Sequence, residues 1–188
     1  MILIVGDSFA ENFNQSNESW TFLLSAHTDL TNLARAGCGE YKILKQLQSV
    51  DLNKFDKVII SHTSFTRFHV EHNPFYSNGK YSHCDLIYED VLNKPDSKVK
   101  EHLLFLFEQL VDIDYQKFVY DSVCKEIKQI LANKVCVHLN FFDKNIILQK
   151  NFDNILELHK IRKKYPGHVN HMNQQGNVMV YEKIFKLI

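Results

Sequence analysis

The sequence predicts an α/β fold in which helices cover both faces of a parallel β-sheet. Short, continuous apolar runs rich in β-branched residues are typical of strands that are buried on both faces. Amphipathic segments with helical periodicity alternate with these runs, as they do in parallel sheets. Hydrophobic residues make up 45% of the 188 residues and aromatic residues 12%, so a sizeable core can form. We therefore expect one three-layer domain that spans residues 1–188.

The elements are predicted in chain order from these two patterns. Four apolar runs indicate strands: Ile2–Val5, Leu30–Ala34, Lys57–Ser61 and Lys134–Phe142. Five segments indicate helices: Ser19–His27, Glu40–Val50, Val99–Val111, Phe118–Leu131 and Gly176–Ile188. The segment Asn154–Ile161 fits either a short helix or a strand. Because strands and helices alternate over the first third of the chain, the connections there are parallel crossovers.

A long segment in the middle of the chain breaks this alternation. Residues Phe65–Lys98 are polar, aromatic and rich in turn residues, and they carry no strand signal. We expect residues 65–115 to form an insertion over one end of the sheet rather than a separate domain. A long polar and aromatic insertion beside a sheet edge is often functional. The sequence therefore leaves two interpretations of this segment, a substrate-binding lid and a solvated loop.

Charge and cysteine content narrow the class of protein. Lys and Arg together number 22, as do Asp and Glu, and this balance argues against a dedicated nucleic-acid binder. The four cysteines form no CxxC pair and the histidine spacing matches no standard zinc pattern, so we expect no metal and no cofactor. The apolar start MILIV is too short for a signal peptide or a membrane span, which predicts a cytoplasmic protein without a membrane partner. The sequence leaves the oligomeric state open.

The first strand runs directly into Gly6-Asp7-Ser8. Ligands of open parallel sheets bind outside the carboxyl ends of the strands, and Ser8 is expected at that edge. A turn followed by a helix cap is the alternative interpretation, because Asp and Ser both cap helices. Near the other end of the chain, His171 lies in a loop before the last helix. A serine nucleophile needs a base within hydrogen-bond reach, and His171 is the candidate.

Three blocks in chain order carry a family resemblance. They are Gly6-Asp7-Ser8 after the first strand, Asn32 followed by Gly37 with Gly39 as a rival, and His171-Met-Asn173-Gln-Gln-Gly176 before the last helix. In these blocks the chain resembles the SGNH/GDSL hydrolases over nearly its whole length. The resemblance implies a three-layer α/β/α sandwich with a parallel, flavodoxin-like sheet. It also implies a serine esterase or acylhydrolase that acts on a small ester or an acylated carbohydrate.

The resemblance implies roles for particular residues. Ser8 would be the nucleophile and His171 its base, with the oxyanion held by the backbone N–H groups of Ser8 and Gly37 and by Thr63. Thr63 stands where the family has Asn. His168 stands where the family has Asp, and a histidine cannot supply the negative charge that orients an imidazolium. His171 would then be oriented by a main-chain carbonyl or by a carboxylate such as Asp143 or Asp7.

Substrate binding is assigned to residues beside the nucleophile, namely Asp7, His62 and Arg67. We expect Phe65–Lys98 to roof the Ser8 edge, with Arg67 pointing into the pocket to hold an anion. Ser8 Oγ and a His171 ring nitrogen are expected within about 2.6–3.2 Å of each other.

Two other functions compete with the esterase. The first is a non-catalytic binding module that keeps the pocket, which the lost Asp and Asn favour. The second, a flavodoxin-like nucleotide binder, is the weakest because no glycine-rich phosphate loop follows the first strand.

Overall fold

A computed structural model of the chain shows a five-stranded, all-parallel sheet with the strand order β2-β1-β3-β4-β5. It describes residues 1–11, 18–76, 79, 81–143, 145–167 and 171–188. The strands are β1 (Ile2–Gly6), β2 (Leu30–Asn32), β3 (Lys57–His62), β4 (Val135–Asn140) and β5 (Ile155–Glu157). β3 lies at the centre, where Ile59 pairs with Ile4 of β1 on one side and with Val137 of β4 on the other.

Helices cover both faces of this sheet. They are α1 (Trp20–Ser25), α2 (Glu40–Gln48), α3 (Tyr88–Leu92), α4 (Lys98–Phe105), α5 (Ile113–Ile130), α6 (Ile146–Asn151), α7 (His159–Lys164) and α8 (Gln174–Phe185). A π-helical turn, Leu106–Leu110, joins the end of α4 to the loop before α5. Helix α1 packs against α8, while α2 and α6 pack against α5. The predicted α/β fold is confirmed.

The strands are buried from both sides because alternate side chains enter different cores. Ile2 and Ile4 of β1 belong to the core beneath α1 and α8. Leu3 and Val5 of the same strand belong to the core beneath α2 and α5. Successive side chains of a strand point to opposite faces, so a continuous apolar run is what a three-layer sandwich requires.

The sequence predictions differ from the structure mainly at short elements. Asn154–Ile161, left open between helix and strand, contains both: it forms β5 and then begins α7. Helices α3 and α6 were not predicted, and α5 begins five residues before the predicted Phe118. Within the predicted helix Val99–Val111, α4 ends at Phe105 and the π-helical turn follows. Elements of three to six residues are too short to show a periodicity of their own.

The segment after β3 packs against the start of α2. Asp85 accepts a hydrogen bond from the Gly39 N–H (2.7 Å) and pairs with Lys42 (2.7 Å). A Cβ placed on Gly37 would lie 2.4 Å from the Cys84 sulfur, so this part of the insertion touches the loop after β2. None of the helices in the described ranges combines the length and apolarity needed to cross a bilayer.

Candidate active site

The turn after β1 presents Ser8 at the carboxyl edge of the sheet. Gly6 has φ 151°, and a Cβ there would lie 2.6 Å from the Ser61 Cβ, so the turn requires glycine. The Asp7 carboxylate accepts hydrogen bonds from the Phe9 N–H (3.1 Å) and the Ser61 hydroxyl (3.2 Å). These contacts hold the tight turn, and they leave Ser8 partly exposed.

Asp7 itself is fully buried, which corrects its predicted contact with substrate. Burial raises the pKa of this carboxyl to about 6, and the nearby Arg67 guanidinium opposes part of that rise. Its Oδ2 atom is 3.8 Å from Arg67 Nη2 and has no hydrogen-bond partner in the described parts of the chain. Asp7 therefore stabilises the turn from its buried side. It accepts hydrogen bonds from Phe9 and Ser61 rather than from His171.

His171 lies against the residue that follows Ser8. Its ring centroid is 4.9 Å from that of Phe9, with the two planes inclined by 35°. Phe9 is held in place by the indole of Trp20, which donates to the Phe9 carbonyl (2.7 Å), and by stacking on Phe141 (4.6 Å). The first and last parts of the chain thus meet at one edge of the sheet. A hydrogen bond between Ser8 Oγ and His171 stays a prediction.

Two residues of the last sequence block, Asn173 and Gly176, are explained by the start of α8. The Asn173 side chain caps α8 by accepting a hydrogen bond from the Gly176 N–H (3.1 Å). A Cβ at Gly176 would lie 2.9 Å from the Cβ atoms of Met172 and Tyr165, so the helix can approach the preceding loop only with glycine there. His168, which stands at the family's Asp position, lies outside the described residues. Asp143, the other carboxylate considered, pairs with Lys163 (2.6 Å).

Two backbone N–H groups, those of Ser8 and of Gly37 in the loop after β2, have no acceptor among the described residues. The loop after β2 is held beside the Ser8 turn by the Arg35 N–H, which donates to the Gly6 carbonyl (3.1 Å). Within the described ranges, neither the Ser8 N–H nor the Gly37 N–H donates to a protein group. The rival Gly39 differs, because its N–H is taken by Asp85. Unpaired donors of this kind can stabilise a developing oxyanion.

Thr63 and Arg67 are bound to each other. The Arg67 Nε–H donates to the Thr63 hydroxyl (2.7 Å), and Thr63 is fully buried. The backbone of Thr63 is also engaged, with its N–H on Glu40 (3.2 Å) and its carbonyl on the Tyr120 hydroxyl (2.7 Å). The structure therefore places the Thr63 hydroxyl inside a buried network, which corrects its predicted place in an open oxyanion hole.

His62 is likewise buried rather than open to substrate, which corrects its predicted role. Its Nδ1 is 2.6 Å from Glu40, and its Nε2 is 2.9 Å from Nδ1 of His138. Burial, followed by the charge of His62, lowers the pKa of His138 to about 3. This chain of three polar side chains links the start of α2 to β3 and β4.

A cavity of about 360 Å³ lies between the insertion and the starts of α2 and α5. Its wall is mostly aromatic and aliphatic, with contributions from Phe65, Phe68, Tyr115, Val119 and Val123. Arg67 lines it, and its guanidinium also reaches towards Asp7. Ser8 and His171 do not line this cavity.

Sequence reasoning missed Arg162 of α7. Its guanidinium carbon lies 5.9 Å from the ring centroids of both Phe9 and Phe142. In the sequence it is only one of four basic residues in the run Lys160–Lys164. Nothing in that run distinguishes the residue that turns inward.

Comparisons with known proteins add little to this geometry. No family model matches the chain, and no curated protein matches it. Among solved structures, the chain is similar to an extracellular lipase from Streptomyces rimosus, with a TM-score of 0.37 and 12% sequence identity. The alignment covers 99% of this chain and 71% of the lipase chain. A likeness this distant carries no argument about activity, which has to come from the site itself.

Proposed function

We propose that this protein is a serine hydrolase that cleaves a small ester or an acylated carbohydrate, with Ser8 as nucleophile and His171 as base. The observation that supports it most is the packing of the His171 ring on Phe9, directly beside Ser8. Two residues from opposite ends of the sequence thereby share one edge of the sheet, as nucleophile and base must.

The proposed reaction proceeds in two steps. Ser8 Oγ attacks the ester carbonyl while His171 takes the hydroxyl proton, and the resulting oxyanion accepts hydrogen bonds from the Ser8 and Gly37 N–H groups. His171 then protonates the departing alcohol, which leaves an acyl-enzyme. Water, deprotonated by His171, attacks this acyl group and restores Ser8. The Thr63 hydroxyl accepts a hydrogen bond from Arg67 inside the buried network, so the proposed hole has two donors. Each missing donor slows turnover by about 10²- to 10³-fold.

A fluorophosphonate probe tests the proposal, since it reacts with the activated serine of serine hydrolases, and mapping of the adduct identifies the residue that reacted. We expect one adduct at Ser8, mapped by mass spectrometry, and slow hydrolysis of 4-nitrophenyl acetate. Ser8→Ala should abolish both, and His171→Ala should lower turnover by about 10²- to 10⁴-fold through loss of the general base. Ser64→Ala and His72→Ala are matched controls: both residues lie in the segment after β3 and outside the proposed catalytic pair, the His72 side chain is exposed, and both variants should leave turnover unchanged.

A second candidate is a binding module without catalysis. The cavity of about 360 Å³ favours it, because its mostly apolar wall can hold a ligand without any contribution from Ser8. Absence of both the Ser8 adduct and ester turnover would overturn the hydrolase and leave this candidate. Binding of a small apolar ligand that Val119→Trp abolishes would then support it, since the larger side chain fills the cavity.

A further inference from the structure

Arg162 carries a positive charge beside the proposed active site. The residue is partly buried, and its guanidinium lies 5.9 Å from the ring centroids of Phe9 and Phe142. Phe9 is also the ring that His171 packs against, and it follows Ser8 in the chain. One aromatic side chain therefore contacts both the proposed base and this cation.

The guanidinium of Arg162 has no hydrogen-bond acceptor among the described residues. The Nε atom of Arg162 is buried without a hydrogen-bond partner, and the guanidinium forms no ion pair with the described residues. The neighbouring carboxylates are engaged elsewhere: Asp143 pairs with Lys163 (2.6 Å), and Glu157 accepts from Asn140 (2.8 Å). A buried donor without a partner is unfavourable, so the site favours an acceptor that arrives from outside.

Arg67 offers a contrast within the same structure. Its Nε donates to Thr63, and its guanidinium faces the buried Asp7 carboxylate. An anion at Arg67 would compete with that internal carboxylate. Arg162 forms no ion pair of this kind with the described residues: Asp143 is near enough for the Arg162 charge to help lower its pKa, but this carboxylate pairs with Lys163. A planar guanidinium can donate two parallel hydrogen bonds to a carboxylate or a phosphate.

From this geometry we infer that Arg162 binds an anionic group, a carboxylate or a phosphate, carried by the ester substrate. The inference rests on the proposed function, because it takes Ser8 and His171 as the reacting pair. Arg162 is then a specificity-determining residue: it selects charged esters over neutral ones of the same size.

Matched esters test this selection. Mono(4-nitrophenyl) adipate carries a carboxylate in its acyl part, and 4-nitrophenyl hexanoate is its neutral counterpart. For the alcohol part, 4-acetoxybenzoate and 4-acetoxyphenyl phosphate are compared with neutral 4-acetoxybenzamide, which also separates carboxylate from phosphate. In Arg162→Met we expect KM for the preferred anionic ester to rise about 10- to 100-fold, as for the loss of a charge-assisted hydrogen bond, with kcat changed much less.

Three variants separate a lost anion site from a lost fold. Lys160→Met is the matched control, since it removes the same charge from the exposed side of α7. Arg162→Lys keeps the charge but not the two parallel donors and should recover part of the lost affinity. Neutral esters should be hydrolysed equally by all three variants and by wild type. Equal KM values for charged and neutral esters in wild type, or equal losses on both in Arg162→Met, would overturn the inference.

A binding measurement distinguishes failure of this inference from failure of the hydrolase proposal. Calorimetric titration of Ser8→Ala with benzoate and with phenyl phosphate needs no turnover. Binding that Arg162→Met removes and Lys160→Met retains would support the anion site even if no ester is hydrolysed. Labelling of Ser8 by the fluorophosphonate, together with no anion binding by either probe, would leave the hydrolase standing and reject the anion site.

Discussion

At the scale of single residues, the turn after β1 holds a carboxylate in an unfavourable place. Asp7 is fully buried, and its Oδ2 atom has no hydrogen-bond partner among the described residues. The charged form loses its hydration there, and Arg67 at 3.8 Å offsets only part of that loss. The same carboxylate accepts the two hydrogen bonds that shape the Ser8 turn.

Asp7→Asn should therefore remove the pH-dependent loss of stability that comes from burying a charged carboxylate. A raised folded-state pKa of about 6 means that the contribution of Asp7 to stability is present below its unfolded pKa of 3.8 and is lost as the pH rises through 6. The free energy of unfolding of wild type should fall relative to Asp7→Asn by about 2–3 kcal/mol between pH 4 and pH 8. Urea unfolding at several pH values measures this difference. Asp96→Asn, at an exposed site, is the control, and a difference that does not vary with pH would contradict the assignment.

At the scale of elements, one buried side chain, that of Asp85, connects the insertion to the start of α2. Asp85 accepts from the Gly39 N–H at the start of α2 and from the Val70 N–H (3.0 Å) within the insertion. It also pairs with Lys42 of α2, which is itself largely buried. Asp85 thus joins the insertion to α2 by polar contacts, whereas the sheet packs between two apolar cores.

Asp85→Asn should loosen the insertion without unfolding the sheet. The amide keeps one acceptor but loses the charge that faces Lys42, so local opening becomes easier. Amide hydrogen exchange should become about 10- to 100-fold faster at residues 66–76 and 82–92, and exchange in β1 and β3 should not change. Asp90→Asn, an exposed change in α3, should leave both regions as in wild type. Faster exchange throughout the sheet would show instead that Asp85 supports the whole fold.

At the scale of the whole molecule, the strand order determines where the candidate site lies. The chain moves from β1 outward to β2 and then returns to β3 on the other side of β1. Ligand crevices of parallel sheets form where the order reverses in this way, at the carboxyl ends of the strands. Ser8 follows β1, and the loop with Gly37 follows β2, at that reversal.

The stability of the whole molecule should depend on the central strands. Leu139 of β4 is fully buried in the core beneath α1 and α8, so Leu139→Ala should lower the free energy of unfolding by about 2–5 kcal/mol. Val135, at the exposed start of the same strand, is the matched control, and Val135→Ala should cost less than about 1 kcal/mol. Urea unfolding measures both. Equal effects at the two positions would mean that β4 is not buried as described.

The sequence by itself determined the fold class and the positions of the candidate nucleophile and base. Runs such as Ile2–Val5 predict buried parallel strands because both faces of such a strand need apolar side chains. The Gly6-Asp7-Ser8 turn could be located for a similar reason, because the apolar run of β1 ends there. Features of this kind can be predicted because they depend on residues that are neighbours in the sequence.

Only the tertiary structure decided the partners of the charged and polar side chains. It paired Arg67 with Asp7 and Thr63, enclosed His62 between Glu40 and His138, and placed Arg162 against Phe9 without an ion pair among the described residues. These partners come from segments far apart in the chain, and burial and charge at each site depend on how those segments pack. No local sequence pattern specifies these partners. The same residue types are therefore equally compatible with a substrate contact, a buried polar network or a cation without an internal partner.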